Sequence, residues 1–382
     1  MSQVQIRAAL GAEEHQLFVR VPFLIGRNEP IWLTRLISDN LSSLHNPLLK
    51  HSEFVSLLAF VNDRAVGRIF AFLDKRAQNS VGYFCWLCAI DDTHVVKALL
   101  RAVKVWLKQR KRSILRGPVM PSVFLMGGLM TKGFDSGDIT GIERGSRTFN
   151  RIVDSTALAY PFEARDFDVW RVGRNAIPRF AENISKAILS DPRVKLIPLQ
   201  RHNFQDSVEI ITEVYNQSWS HQWNFEAATT QDIKWLLKGG ANVDLELSYV
   251  LTLDGKPVGV SISAPNFKDN QLRANQDALR TLLLNKAAKR SASWLYETRL
   301  KIGPRPKSWR IQLLGLTPQT LDSPYKSLLI HLLVHTTRRA KSLGYQYGEI
   351  GWTSHAQTPL KSSLSLIGAT PVKTLRFYEA PA

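Results

Sequence analysis

The chain has 382 residues, 44% of them hydrophobic and 21% charged, a globular composition that excludes a disordered polyelectrolyte. One hydrophobic core rarely keeps growing to that length, so two domains of roughly 190 residues are expected. Fifty Lys and Arg against 32 Asp and Glu give a net charge of +18, which favours polyanionic company: nucleic acid, an anionic membrane surface or phosphorylated substrates.

The sequence holds two cysteines, Cys85 and Cys88, three apart in an aromatic run. On a strand they point to opposite faces, so they read as ordinary buried thiols with no metal or redox motif, and cysteine poverty fits a cytoplasmic location. The N-terminus MSQVQIRAALGAEE lacks a basic segment followed by an apolar core, and no apolar stretch is long enough to span a bilayer. A soluble protein is expected.

In chain order, a first strand ends near Arg7, a short helix covers 12–21 and another 31–40. Phe54–Phe60, an Asn62-Asp63 turn and Ala65–Leu73 form a hairpin, and Gly82–Cys88 is a third strand. Asp91 or Asp92 caps the next helix, where Val96, Leu99, Leu100, Val103 and Leu107 recur at spacings of three and four and the other face is basic. Ser113–Leu115 is a short strand ending at Gly117-Pro118, and a helix is expected from Ser122.

Residues 161–204 mix charged turns, Pro178 and Pro192 with a helix at 178–190, and the domain connection is placed at 166–204. The helical period resumes at Val208, Ile211, Val214 and Tyr215, and a second helix covers Thr230–Leu237. Leu245–Leu253, Asp254-Gly255 and Pro257–Ala264 form the clearest hairpin, since Asp-Gly favours a two-residue turn. A long basic helix over 266–300, a strand at Arg310–Leu316, a helix over 325–343 ending at Gly344, a strand at Tyr345–Trp352, a helix at 357–366 and a strand at Val372–Phe377 follow. The order helix pair, hairpin, strand, long helix, strand thus occurs twice. It predicts an α/β chain with two mixed-sheet domains, 1–165 and 205–382.

VPFLIGR at 21–27, HNPLLKHSEF at 45–54, DRAVGRIFAF at 63–72, LRGPV at 115–119, YNQSWSHQWNF at 215–225, LDGKPVGVSIS at 253–263 and LRFYEA at 375–380 carry a resemblance. The chain resembles the acyl-coenzyme-A N-acyltransferase (GNAT-like) superfamily, in particular bacterial proteins with two such domains in tandem. The resemblance implies transfer of an acyl or aminoacyl group from an activated donor, acyl-CoA or aminoacyl-tRNA, to a small amine acceptor, with no tightly bound cofactor. It also implies a splayed strand that admits the thioester and backbone N–H groups at the next helix start that hold pyrophosphate. That donor loop falls at 317–327, where Leu316, Thr317, Tyr325, Lys326 and Ser327 are the expected donor-binding residues. The segment reads TPQTLDSPYKS instead of a glycine-rich run, and Pro324 lacks an N–H. In the first half IDDTHVVK puts Asp91 and Asp92 where pyrophosphate would approach, so that half is expected to be structural or to bind the acceptor.

Direct attack by an amine needs a base, donors for the developing oxyanion and an acid for the leaving group. Glu349 and Glu246 are the candidate bases, Tyr325 and Tyr378 the candidate acids, and His355 lies in a loop after the Trp352 strand. His331, with Leu328, Leu332 and Val334 around it, reads as a satisfied structural histidine. Trp219, Trp223 and Phe225, with Tyr215, are expected to wall the acceptor cleft or to pack their helix, and Phe23 and Arg27 to close the opposite wall. Two basic groups stand out: Arg101, Lys104, Lys108, Arg110, Lys111, Arg112 and Arg116, and a second from Lys286 through Lys307 to Arg310. They read as solvated faces or as contacts to tRNA phosphates, a phosphorylated carrier or a membrane.

Overall fold

The computed structural model describes residues 3–27, 46–77, 80–122, 127–137, 145–158, 162–173, 176–200, 204–237, 243–266, 306–354 and 358–382. They divide into two compact units. Unit 1 takes the described residues through Asp166 together with Leu375–Ala382, and unit 2 takes those between Phe167 and Thr374.

Unit 1 contains β1 (Gln5–Ala8), α1 (Gly11–Leu24), α2 (Pro47–Lys50), β2 (Ser52–Val61), β3 (Arg64–Asp74), β4 (Val81–Ala89), α3 (Thr93–Lys108), β5 (Ile114–Gly117), β6 (Leu129–Lys132) and α4 (Arg147–Leu158). Strands β1 to β4 are antiparallel neighbours, β5 joins β4 in parallel across the α3 crossover, and the end of β13 (Thr370–Pro381) joins β5. The two-residue turn between β2 and β3 puts Asn62 at φ 49° and Asp63 at φ 59°, the left-handed pair that lets a hairpin keep its right-handed twist. Helix α3 buries Val95, Val96, Leu99, Leu100, Val103, Trp106 and Leu107 against this sheet. Buried Arg68 of β3 donates to the carbonyls of Phe18 and Val19 at 2.9 and 3.2 Å, which ties α1 down. The chain's last residues are held by Arg376, bidentate on Asp166 at 2.7 and 2.8 Å, and by Arg116 on Glu379 at 2.6 Å.

Unit 2 contains most of β7 (Glu163–Gly173), then α5 (Arg179–Leu189), β8 (Val194–Pro198), α6 (Phe204–Trp219), α7 (Thr230–Trp235), β9 (Tyr249–Leu253), β10 (Lys256–Pro265), β11 (Ser308–Leu316), α8 (Pro318–Leu321), α9 (Leu328–Ser342), β12 (Tyr347–Ser354) and α10 (Thr358–Leu366). The strand order is β7-β12-β11-β10-β9-β8, with β11 and β12 parallel. Asp254 and Gly255, at φ 51° and 77°, make the expected turn of the β9–β10 hairpin. Helix α9 buries Leu328, Leu329, Leu332, Leu333, Thr336 and Ala340 on one broad face. Each leucine so buried is worth about 1.5–3 kcal/mol, which offsets the entropy of ordering the helix.

The chain departs from its sequence-based division at 166–204, which is not a connection but carries β7, α5 and β8. The two prolines that looked like linker residues bracket a helix: Pro178 is the N-cap of α5, and Pro192 sits in the turn that follows it. The interspersed charges of β7 disguised its buried apolar residues, Phe167 and Val169 on one face and Trp170 and Val172 on the other. The C-terminal residues from Leu375 belong to unit 1 rather than to the second half. The helix expected at 31–40 and the one expected over 266–300 lie outside the described residues.

Between α5 and α9, His331 is buried with its Nδ1 2.9 Å from Ser185 Oγ. Burial, then the neighbouring His335 and Arg338, push its pKa down to about 4 from 6.5. Between those values the unfolded chain binds more protons, so the stability gained by keeping His331 neutral is complete above pH 6.5 and is lost as pH falls toward 4. Urea unfolding of His331→Gln is therefore expected to vary less with pH across that window than the parent; parallel pH profiles would contradict this.

Candidate functional site

A parallel pair joined by a helical crossover can stay bonded along its length or part, and both units contain such a pair. In unit 2, β11 and β12 pair only from Ser308–Tyr347 to Ile311–Ile350. Gln312–Leu316 then continues along β10 alone, while β12 resumes pairing with β7 at Thr353. The strands leave a wedge that opens beyond Ile311 and Ile350. Trp219 lies over β11 in this wedge, so close that a Cβ on Gly315 would meet its ring at 2.6 Å. Tyr215 stacks on Trp219 with centroids 5.1 Å apart and contacts Phe225 at 5.8 Å, while Trp223 packs on Phe167 at 5.7 Å. The aromatic group thus packs its helix and the segment after it against β11 and β7.

At the base of the wedge Arg310, Glu349 and Arg171 are cross-strand partners on β11, β12 and β7 and share one face of the sheet. Glu349 is 1% exposed and accepts from Lys373 Nζ at 2.8 and 2.9 Å and from Arg171. Arg310, 2% exposed, has its guanidinium 4.1 Å from the Trp352 ring centroid, and burial lowers its pKa to about 10 against the raising effect of Glu349. Both carboxylate oxygens of Glu349 are thus engaged by cationic side chains, which ties β12 to β7 and β13. Lys373, Arg171 and Trp352 were not anticipated. The period-two phase of Lys373 with buried Leu375 and Phe377 is the pattern that would have revealed Lys373.

The donor loop has little backbone to offer an anion. The N–H of Thr317 donates to Val258 O, those of Thr320 and Leu321 to Thr317 O, Asp322 to Pro318 O, Ser323 to Thr320 O, Lys326 to Ser323 O and Tyr325 to Ser323 Oγ. Pro318 and Pro324 have no N–H. Leu316 lies in the hydrophobic core, and Thr317 is buried with its hydroxyl 2.9 Å from that of Thr320. Lys326 is exposed, Ser327 half-buried, and half-buried Tyr325 lies beneath the Arg193 guanidinium at 5.5 Å.

The remaining candidates stand elsewhere. Glu246 is exposed and paired with Arg339 at 2.9 Å. Tyr378 belongs to unit 1, where its hydroxyl is buried on Asp154 and its pKa is driven well above the ordinary phenol value by burial and that bond. Phe23 and Arg27 are also in unit 1, and His355 lies outside the described residues.

Unit 1 repeats the wedge in closed form. β4 and β5 pair from Val81 to Tyr83, but Val119 N–H then donates to Phe84 O at 2.8 Å, and Gly117 sits where a Cβ would strike the Phe84 ring at 2.5 Å. Its loop is filled by side chains: Arg27 binds Asp91, Ala89 O at 3.2 Å and Ser146 Oγ at 2.8 Å. The Asp92 carboxylate caps the first turn of α3 through His94 N–H at 2.7 Å, the place an anion would take.

Removing one partner of a buried ion pair strands the other charge, at a cost of about 3–5 kcal/mol, whereas replacing both with apolar groups is far milder. Glu349→Leu leaves buried Lys373 without its carboxylate and is expected to lose stability on that scale in chemical denaturation, and Glu349→Leu with Lys373→Met to recover part of it. Equal losses in both variants would show that the pair is not the source.

No family model matches the chain. It is 29% identical over 377 residues to the bacterial ceramide synthase of Caulobacter vibrioides, covering 96% of this chain and 94% of that protein. It is 25% identical over 397 residues to protein YghO of Escherichia coli, covering 98% and 94%. Among solved structures, it aligns over 99% of its length and 98% of the other with a tandem GNAT protein from the clavulanic acid biosynthesis pathway, with a TM-score of 0.55 at 9% identity. It also aligns over its full length with a fungal multi-domain β-N-acetylglucosaminidase containing a glucosamine N-acetyltransferase region, of which it spans 38%, with a TM-score of 0.58 at 10% identity. The chain carries the tandem GNAT fold, two acyl-coenzyme-A N-acyltransferase-like domains in one polypeptide.

Proposed function

We propose that unit 2 transfers a long-chain acyl group from a thioester donor to the amine of a long-chain amino alcohol. The observation that carries this reading is the open wedge between β11 and β12, in a chain that aligns over nearly its whole length with a protein named bacterial ceramide synthase. The neutral amine attacks the thioester carbonyl, the C–N bond forms, the C–S bond breaks, and the proton released from nitrogen passes to the departing thiolate. Strand N–H groups beyond Ile311 are the donors this reading assigns to the carbonyl oxygen as it gains charge. Glu349, already bonded to Lys373 and Arg171, is assigned a positioning role in this reading, beside its cross-strand neighbour Arg310. Tyr325 is the phenol assigned to return the proton, and exposed Lys326 meets the donor's anionic portion. Trp219, Trp223 and Phe225 line the path of an apolar chain, which suits aliphatic substrates more than a small polar amine.

The inward-bonded amides of the donor loop favour one other reading, a noncatalytic domain that binds a thioester without turning it over. One assay separates the two. Purified protein given a palmitoyl thioester and sphinganine is expected to form the N-acyl amide by mass spectrometry, and Trp219→Ala to lower kcat/KM for the long-chain amine about tenfold, near 1.4 kcal/mol. Failure to acylate any long-chain amine, with thioesters or charged tRNAs as donors, would sink the transferase reading.

A further inference from the structure

Three members of the basic group of unit 1 hold strands and loops in place: Arg110 is paired with Glu53 at 2.6 Å, Arg112 donates to the carbonyls of Ala77 and Asp74, and Arg116 binds Glu379. Lys97, Arg101, Lys104 and Lys108 recur at intervals of four, three and four along α3, and therefore share one face of the helix, away from its buried stripe. Lys104 Nζ also lies 4.9 Å from the Phe162 ring centroid. Helix α3 contains no acidic residue between Thr93 and Lys108. At its start Asp91 and Asp92 are already engaged, by Arg27 and by the helix cap. The neighbouring helix α4 adds exposed Arg151, and its one carboxylate, Asp154, serves Arg376 and Tyr378. Burial, and then the neighbouring Lys108, lowers the pKa of Lys104. Val105, 56% exposed, stands within this row.

We infer that the α3 face of unit 1 docks on an anionic lipid bilayer. The row from Lys97 to Lys108 spans about 16 Å of flat helix surface, enough to meet several headgroups at once, and Val105 is the apolar side chain that enters between them. Four cations near an anionic surface attract it with about fivefold in partitioning apiece. Single-stranded nucleic acid is the weaker match, because it needs aromatic platforms for its bases. The exposed large apolar side chains among the described residues of unit 1 are Leu10, Leu24 and Val105, none of them aromatic. No helix among the described residues is long and apolar enough to cross a membrane, so the contact is peripheral. The choice of a bilayer over other polyanions leans on the lipid-amine reading of unit 2, but the docking itself requires no turnover.

The test is co-sedimentation of the full-length protein with vesicles of phosphatidylcholine alone or mixed with phosphatidylglycerol, without donor or acceptor. The wild type is expected to bind the mixed vesicles, to lose binding as salt is raised, and to ignore the neutral ones. Lys97→Gln, Arg101→Gln and Lys108→Gln combined are expected to weaken binding at least about tenfold with an unchanged circular dichroism spectrum. Should that variant misfold, the charge-keeping set Lys97→Arg and Lys108→Arg together with Val105→Asp replaces it: the first is expected to bind like wild type and the second more weakly. Equal binding to both vesicle types, binding untouched by these substitutions, or tighter salt-sensitive binding to RNA than to lipid would each overturn the inference. Because no acyl transfer is measured, an inactive enzyme that still binds vesicles would refute only the reading of unit 2.

Discussion

Two parallel strands that share hydrogen bonds for four residues and then part impose a demand on everything around them. Past Ile311 and Ile350 each strand keeps one bonded neighbour and turns its other edge toward a gap. Backbone groups at such an edge are costly to bury unpaired, so the gap must be filled by the protein itself or serve a ligand. Unit 1 fills it, with Val119 on Phe84 and Gly117 against the ring. In unit 2 the strands are flanked by the aromatic residues Trp219 and Trp223 and tied together by a buried ionic row at Glu349.

The two units thus show one fold put to different uses. Where a pyrophosphate would sit in unit 1, the Asp92 carboxylate caps α3 and Arg27 locks the loop. In unit 2 short helical turns of the corresponding loop engage the N–H groups of Thr317, Thr320, Leu321, Asp322, Ser323, Tyr325 and Lys326, and Pro318 and Pro324 have none. The proposed donor contacts are accordingly the acyl chain and thioester, in keeping with the aromatic residues of α6 and the segment after it. The ionic row at Glu349 adds little net stability by itself, since desolvation cancels much of the attraction. What it contributes is a link between β7, β12 and β13 through Arg171, Glu349 and Lys373.

Much of this was legible in the sequence, for reasons that are local. The Asn62-Asp63 and Asp254-Gly255 turns state their hairpins, and the apolar periods of α3 and α9 state both helices and the faces they bury. The tandem fold followed from the order of these elements. The segment 166–204 was misjudged because proline marks a helix start as readily as a linker, and because β7 intersperses charge among its apolar residues. Site residues were harder. Glu349 was visible as a carboxylate among aromatics, but its partners come from β7 and β13, 178 and 24 residues away in sequence. Tyr378 looked like a free strand-end phenol, whereas burial on Asp154 makes it part of the packing that seats the C-terminal strand. Pairings of that range are set by tertiary structure, and no local pattern announces them.

The claim on which the account rests is that the unit 2 wedge receives the donor without a pyrophosphate cradle. A crystal structure with a nonhydrolysable long-chain acyl-CoA thioether tests it directly. The account predicts the thioether sulfur between β11 and β12 just beyond Ile311 and Ile350, the acyl chain along Trp219, and the pyrophosphate not bonded to the amides of 317–327. An analogue lodged in unit 1, or one whose pyrophosphate is held by those loop amides, would contradict it.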